Sequence, residues 1–166
     1  PSNRWQAVQT IASALLVGNV TKLRAGQDPD VDEGLLDALA AIVGDRTLEP
    51  AFIAEALTLP SEADIAREIG CNIDPDAIFR ARAALRALIG LHLNAPLTAT
   101  YESLAEGGPY SPDAVSAGRR LLKNACLDLL AATQESHAIR LAAKQYETAD
   151  NMTDRMAALG TLSLHD

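Results

Sequence analysis

The chain has 166 residues, of which 48% are hydrophobic but only 4% aromatic, and its 14 basic and 22 acidic side chains give a formal net charge of −8. A core built mainly from alanine and leucine favours packed helices over sheets, which are enriched in aromatic and β-branched residues. Because a strongly acidic surface repels phosphate backbones and anionic lipid headgroups, neither nucleic acid nor a membrane is expected as a partner.

The first predicted helix begins with Asn3 as its N-cap and ends at Gly26. Asn19 falls on its apolar face. Because burial of an unpaired amide is costly, we expect Asn19 to form a hydrogen bond with a neighbouring helix. The apolar face consists of Trp5, Val8, Ala12, Leu15, Leu16 and Leu23.

Caps, prolines and glycines predict the helices that follow, and no segment alternates as a half-buried strand does. These helices are expected near residues 35–43, 50–57, 62–69, 75–93, 97–104, 113–133 and 136–148, and from residue 153 onward. The glycines and proline at 107–109 predict the most flexible turn. About nine helices with short connections therefore predict one all-α domain over residues 1–166, built from antiparallel hairpins without a sheet. The pattern alone leaves a globular bundle and a HEAT-like solenoid both open.

The seventh predicted helix is apolar on two sides. Such a helix is typical of an inner layer that has neighbours on either side. One face consists of Val115, Gly118, Leu122, Ala125, Cys126 and Leu129, and the opposite side carries Leu127 and Ala131.

The only histidines are His92, His137 and His165, and none is followed by glutamate, so the chain contains no His-Glu-x-x-His zinc motif. His92 is in phase with the apolar face of the fifth helix, which suggests either a metal ligand or a hydrogen-bonded histidine near a helix end. The second interpretation is favoured, because no other histidine or cysteine lies at ligand spacing.

The two cysteines, Cys71 and Cys126, form neither a disulfide framework nor a Cys-x-x-Cys pair, which favours a reducing, cytoplasmic location. A nucleophilic cysteine needs a base beside it. Cys126 lies among leucines and alanines, so we expect it to be a small buried hydrophobic residue.

Basic side chains cluster on two predicted helices and are the clearest candidates for binding a carboxylate or a phosphate. The favoured interpretation is a solvated helix flank with local ion pairs, such as Asp76 with Arg80 at i, i+4. The clusters are Arg80, Arg82 and Arg86 on the fifth helix, and Arg119, Arg120 and Lys123 on the seventh.

Four blocks, in order, resemble the C-terminal region of bacterial aminopeptidase N, a zinc metallopeptidase of the gluzincin type. Lys123 stands where the family has arginine, and Tyr146 where it has phenylalanine. The blocks are Asn-Arg-Trp at 3–5, Leu-Thr-Leu-Pro-Ser at 57–61, Leu-Lys-Asn-Ala-Cys-Leu at 122–127, and Lys-Gln-Tyr at 144–146 with Asn-Met-Thr-Asp at 151–154 and Ala-Ala-Leu at 157–159.

This resemblance implies an ARM/HEAT-like superhelical domain that lies beside a thermolysin-like catalytic domain of the same polypeptide and closes over its active site. The parent enzyme would remove N-terminal residues from peptide substrates, using zinc bound by two histidines and a glutamate. Neither those ligands nor the family's Gly-x-Met-Glu-Asn motif occurs in this chain. We therefore assign no catalytic, cofactor-binding or metal residue, and expect residues 1–166 to be a truncated first part of the C-terminal domain.

Two other function classes compete with this one. A stand-alone HEAT-like scaffold for protein interactions would carry polar capping helices at both ends. A ligand-sensing bundle of a transcription regulator would need a basic helix-turn-helix segment, which is not evident. An independent enzyme is the least expected, because no triad, phosphate cradle or metal cluster can be assembled from the residues.

Overall fold

The computed structural model describes residues 2–105 and 108–165, so Gly107 of the predicted 107–109 turn lies outside the described residues. Within those ranges the chain forms nine α-helices and no strand, which confirms the all-α prediction. The helices are α1 (Ser2–Arg24), α2 (Glu33–Gly44), α3 (Pro50–Leu57), α4 (Glu62–Ile69), α5 (Pro75–His92), α6 (Asn94–Ala105), α7 (Ala114–Ala131), α8 (Ser136–Thr148) and α9 (Met152–Leu162).

Side-chain caps explain where most of these helices begin. An N-cap oxygen accepts a hydrogen bond from an amide three residues later, which satisfies one of the free N–H groups of the first turn. Pro50 and Pro75 occupy first-turn positions, where a missing N–H costs nothing. The capping residues are Asp32, Ser61, Asp74, Asp113 and Asn151.

Two predicted boundaries are wrong. Asn3 is not a cap, because α1 already includes Ser2. The expected break at 94–96 is instead the first turn of α6, so that Leu93 alone separates α5 from α6. A first helical turn accepts Pro96 because its N–H would lack an intrahelical partner in any case.

The buried face of α1 starts one turn later than predicted. Trp5 is 37% exposed, whereas Val8, Ala12 and Leu16 are buried. The buried Asn19 bonds a loop instead of a helix: its Nδ2 donates to the Asp30 carbonyl at 3.0 Å, and its Oδ1 accepts from the Asp30 N–H at 2.7 Å. The extended backbone before α2 has both groups free, so one side chain satisfies them together.

The core is aliphatic, and Tyr101 is its one buried aromatic residue among the described residues. No helix in the described ranges is long and apolar enough to cross a membrane. The largest fully buried side chains are Leu16, Leu35, Leu39, Ile65, Ile78, Ile89, Leu93, Leu97, Leu127, Leu130 and Cys126.

Helix α7 is the inner element of the stack, as predicted. It packs against α3, α5, α6, α8 and α9. Its buried residues lie on both sides, with Leu122 and Cys126 on one and Leu127 and Ala131 on the other. Val115, predicted for the inner face, is 66% exposed. The covered face begins one turn later, at Gly118, which is the first residue of α7 to be buried.

Two glycines allow neighbouring backbones to approach α7 closely. A Cβ added to Gly90 of α5 would overlap the carbonyl oxygen of Leu129 and lie 2.9 Å from Cγ2 of Thr133. A Cβ on Gly118 would lie 3.2 Å from the Cβ of Ala51 in α3. Since a backbone carbonyl cannot move aside as a flexible side chain can, the α5–α7 crossing depends on the absence of a side chain at Gly90.

We therefore expect Gly90→Ala to lower the free energy of unfolding by about 1–3 kcal/mol, because the added methyl overpacks the crossing. The matched control is Gly18→Ala in α1, where a Cβ meets nothing within 4 Å. This control should raise stability by about 0.5–1 kcal/mol, through helix propensity alone. Urea denaturation followed by circular dichroism measures both effects. Equal stabilities for the two variants would contradict the close crossing.

Candidate functional site

An open groove of about 680 Å³ lies where α6, α7, α8 and α9 come together. The end of α6 and the start of α7 form part of its lining, and the end of α8 and the start of α9 form the rest. A volume of this size falls in the range of small-molecule sites, roughly 300–1,000 Å³. The groove is therefore large enough to hold a small molecule.

A buried carboxylate forms the base of this groove. Asp154, the third residue of α9, is 3% exposed and makes an ion pair with the ammonium group of Lys123 on α7. Asn124 Nδ2 donates to its Oδ1 at 2.9 Å, and Asn151 Nδ2 donates to its Oδ2 at 3.1 Å. The Asp154 N–H donates to Asn151 Oδ1 at 2.9 Å, which caps α9. These contacts compensate the cost of burying the charge.

Gln145 of α8 extends the network to all four helices. Its Nε2 donates to Asn124 Oδ1 at 2.8 Å and to the Asp154 carbonyl at 2.9 Å. The Tyr101 hydroxyl of α6 donates to Gln145 Oε1 at 2.9 Å. Burial, assisted by the negative charge of Asp154, raises the pKa of Tyr101 to about 12, so its hydroxyl remains a donor at neutral pH.

Two of the four sequence blocks that carry the family resemblance meet in this network, the fourth through two of its segments. Lys123 and Asn124 belong to the block at 122–127, Gln145 to the segment at 144–146, and Asp154 to the segment at 151–154. Sequence reasoning treated Lys123 only as part of a cationic cluster and missed its partner. The blocks themselves were the available signal, since they place several polar side chains on helices that are otherwise rich in alanine and leucine.

The other cations of the second predicted cluster line the same groove. Arg119 on α7 and Lys144 on α8 are both exposed, and neither side chain forms an ion pair within the described residues. Arg120 is held in place: its Nη1 donates to the Ser111 carbonyl at 2.8 Å, and its Cζ lies 4.8 Å from the centre of the Tyr110 ring. The structure thus brings Arg119, Arg120 and Lys123 together at one site.

The first predicted cluster, on α5, serves the fold instead of a ligand. All three arginines bind partners within the chain, and the predicted i, i+4 pair with Asp76 is confirmed. The bonds are Arg80 Nε to Asp76 Oδ2 at 2.9 Å, Arg82 Nε to the Pro60 carbonyl at 2.9 Å, and Arg86 Nε and Nη2 to the Asp128 carboxylate at 3.2 and 2.5 Å.

The histidines do not converge on a metal site. His92 is exposed and does not lie on the covered face. The covered face of α5 runs from Ile89 to Leu93, which are both buried, so that His92 lies beside it. Its Nε2 lies 3.7 Å from a carboxylate oxygen of Asp37. His137 is exposed as well. Among the described residues, no three histidine, cysteine or carboxylate side chains are grouped so that they could hold a metal ion.

The cysteines differ in accessibility. Cys126 is fully buried in α7, and this burial raises the pKa of its thiol to about 12, whereas Cys71 is exposed. The thiolate is the nucleophilic form of cysteine, so Cys126 is chemically inert in the folded chain. This agrees with the interpretation of Cys126 as a buried hydrophobic residue.

We expect Asp154→Ala to lower the free energy of unfolding by about 3–5 kcal/mol, because it leaves Lys123 as an uncompensated, largely buried charge. The matched control, Asp76→Ala, breaks an exposed pair and should cost at most about 1 kcal/mol. Adding Lys123→Met to Asp154→Leu removes both charges and should recover much of the loss. Denaturant titrations of the unchanged chain, Asp154→Leu, Lys123→Met and the variant that carries both form a double-mutant cycle, and purely additive effects would rule out the pair.

We expect a thiol reagent such as Ellman's reagent to modify one cysteine of the native chain at pH 8 and both after unfolding. Cys71 reacts because it is exposed, and Cys126 does not because it is buried as a thiol. The Cys71→Ser variant should then show no fast reaction. Rapid labelling of that variant under native conditions would contradict the packing of α7.

Curated proteins similar to this chain are named aminopeptidase N. The protein from Caulobacter vibrioides is 37% identical and that from Escherichia coli 36% identical, each over 95% of this chain and 18% of the relative. The protein from Haemophilus influenzae is 31% identical over 94% of this chain and 18% of its own length. The resemblance to aminopeptidase N is therefore confirmed, and the chain spans about a fifth of the length of these relatives.

A solved structure and a family model agree with this result. The crystal structure of Legionella pneumophila aminopeptidase A in complex with aspartic acid matches 97% of this chain and 19% of its own, with a TM-score of 0.78. At 22% identity it supports the fold alone. The family described as a domain of unknown function (DUF3458_C), ARM repeats, matches residues 1–166. The predicted ARM/HEAT-like stack is thereby confirmed, and the chain belongs to this family of ARM-repeat domains.

Proposed function

We propose that this chain is a non-catalytic part of a zinc-dependent aminopeptidase N, in which it walls or caps the cavity where peptides lose their N-terminal residues. The observation that carries the proposal is the extent of the matches: about 95% of the chain aligns with aminopeptidase N, yet this covers only 18% of the relatives. Residues 1–166 would form the first part of the C-terminal domain, and the reaction would take place in another domain.

The burial and pairing of the potentially reactive side chains support this role. Groups that could act in catalysis are used to hold helices together: Cys126 is buried as a thiol, and Lys123 is bound to Asp154. A cavity wall requires a rigid stack of helices more than it requires reactive groups. The network around Asp154 supplies such rigidity, because it connects α6, α7, α8 and α9.

The partners follow from the same proposal. The catalytic domain of the same polypeptide would hold zinc through two histidines and a glutamate, and the substrate would be a peptide. Zinc would activate the attacking water and polarise the scissile carbonyl. We place the protein in the cytoplasm, a reducing compartment where an exposed thiol such as that of Cys71 remains free.

A second candidate function is a scaffold for protein interactions, favoured by one observation. Met152, Met156 and Leu159 are 69%, 55% and 43% exposed on α9, and their i, i+4, i+7 spacing places them on one face. Another segment of the same polypeptide or a separate protein would cover such a stripe. The matches to part of a larger enzyme favour covering by another segment of the same polypeptide, and with it the first candidate function.

We expect the purified 166-residue chain to show no hydrolysis of alanyl or lysyl p-nitroanilide, with or without added zinc. The full-length protein should hydrolyse these substrates and lose activity with 1,10-phenanthroline, because the metal is held outside this chain. Release of p-nitroaniline measures both. Zinc-dependent turnover by the 166-residue chain would refute the proposal.

The wall itself needs a second measurement. In the full-length protein, deletion of residues 1–166 should increase hydrolysis of long peptides relative to dipeptides, since part of the barrier to entry is removed. A melting curve must show that the remaining domains are folded. Unchanged length preference in a folded deletion variant would favour the scaffold function.

A further inference from the structure

The groove between α6–α7 and α8–α9 is cationic in a chain that is acidic as a whole. Among the described residues, four basic side chains line it, Arg119, Arg120, Lys123 and Lys144, together with three acidic ones, Glu102, Asp150 and Asp154, although the net charge of the chain is −8. The ion pair between Lys123 and Asp154 cancels one charge of each sign, which leaves three cations and two carboxylates in the described lining. The groove therefore offers a local positive potential at a concave position.

The acidic side chains of the groove are mostly occupied. Asp154 is neutralised by Lys123 and by two amide donors. The Asp150 carboxylate accepts hydrogen bonds from the Tyr110 N–H at 3.0 Å and from Asn151 Nδ2 at 3.0 Å, and these donors hold its pKa below the usual range. The Glu102 side chain, exposed on α6, forms no hydrogen bond or ion pair among the described residues.

Three cations remain for a ligand, and they come from both sides of the groove. Arg119 and Arg120 lie in the second turn of α7, and Lys144 lies on α8. Neither the Arg119 nor the Lys144 side chain makes an ion pair or a hydrogen bond in the described part of the chain. An anion between them would connect α7 to α8, the two helices that the polar network already joins through Gln145.

Arg120 is already oriented for this task. One guanidinium nitrogen is fixed by the Ser111 carbonyl, and the plane stacks on Tyr110, so little side-chain freedom is lost when the remaining N–H groups bind a ligand. A planar guanidinium fork matches the paired oxygens of a carboxylate or a phosphate. Arg119 on the same helix and Lys144 on α8 would complete the charge compensation.

We propose that this groove is a binding site for a small oxyanion ligand, a phosphate- or carboxylate-bearing molecule held by Arg120 with Arg119 and Lys144. Lys123 is excluded from direct binding because Asp154 already holds its ammonium group. An extended polyanion is a poor ligand, because the basic side chains are confined to one groove on a chain of net charge −8. This site is independent of the proposed peptidase function.

The test is isothermal titration calorimetry of the full-length protein with inorganic phosphate and, separately, with succinate, at constant ionic strength and pH 7.5. The comparison is between Arg119→Gln/Lys144→Gln and Arg46→Gln, which removes an exposed cation of the α2–α3 loop. We expect saturable binding that is weakened about tenfold or more in the groove variant, the loss that removal of hydrogen bonds to a charged group brings. Binding in Arg46→Gln should match that of the unchanged protein.

The two anions distinguish the sources of the ligand. Saturable, groove-dependent binding of phosphate indicates a phosphorylated ligand, and groove-dependent binding of succinate indicates a carboxylate; either supports the site. Binding that is equal in both variants, or absent for both anions, overturns it. Because the groove residues are exposed, melting curves should show that both variants are folded. Binding heat is measured without turnover, so failure here leaves the peptidase proposal untouched.

Discussion

The constraint on which the whole structure depends is that α7 must be covered on both sides. Leu122 and Cys126 face one way and Leu127 and Ala131 the other, so an uncovered α7 would expose apolar surface whichever side was left open. Helices packed on both sides of α7 satisfy this constraint. Glycines where α7 crosses α3 and α5 let these neighbours approach closely. The fold is a stack of helix layers because α7 buries apolar residues on two sides. In a single bundle each helix would bury one apolar face.

The last two helices are attached in a different way. Their buried residues are small or polar: Ala138, Ala142 and Gln145 on α8, and Asp154, Ala158 and Thr161 on α9. Alanines allow close approach but contribute little apolar area. The position of this pair therefore depends on the hydrogen bonds around Asp154 in addition to the partly buried Leu141 and Leu162. Such bonds require particular partners at particular distances, and they specify one arrangement where apolar contacts alone would permit several.

This arrangement separates two properties that a larger enzyme needs. The inner layer is rigid and chemically inert, since its thiol is buried and its buried charge is paired. The groove carries Arg119 and Lys144 at the surface, where their side chains are exposed and form no ion pair with the residues that the structure describes. A domain of this kind can shape access to a cavity or hold an anion without taking part in bond cleavage, because neither task requires a reactive group.

Helix periodicity, caps and breaking residues determined most of the architecture from the sequence alone, because they act within a few residues of one another. They identified the elements, the inner position of α7 and the burial of Cys126. The tertiary structure decided what depends on residues far apart in sequence. It joined Lys123 to Asp154, placed Arg119 and Lys144 in the lining of one groove, and left His92 exposed. A cation's partner thirty residues away has no local signature, so pattern reasoning could name the cation but could not tell which charges the fold would neutralise.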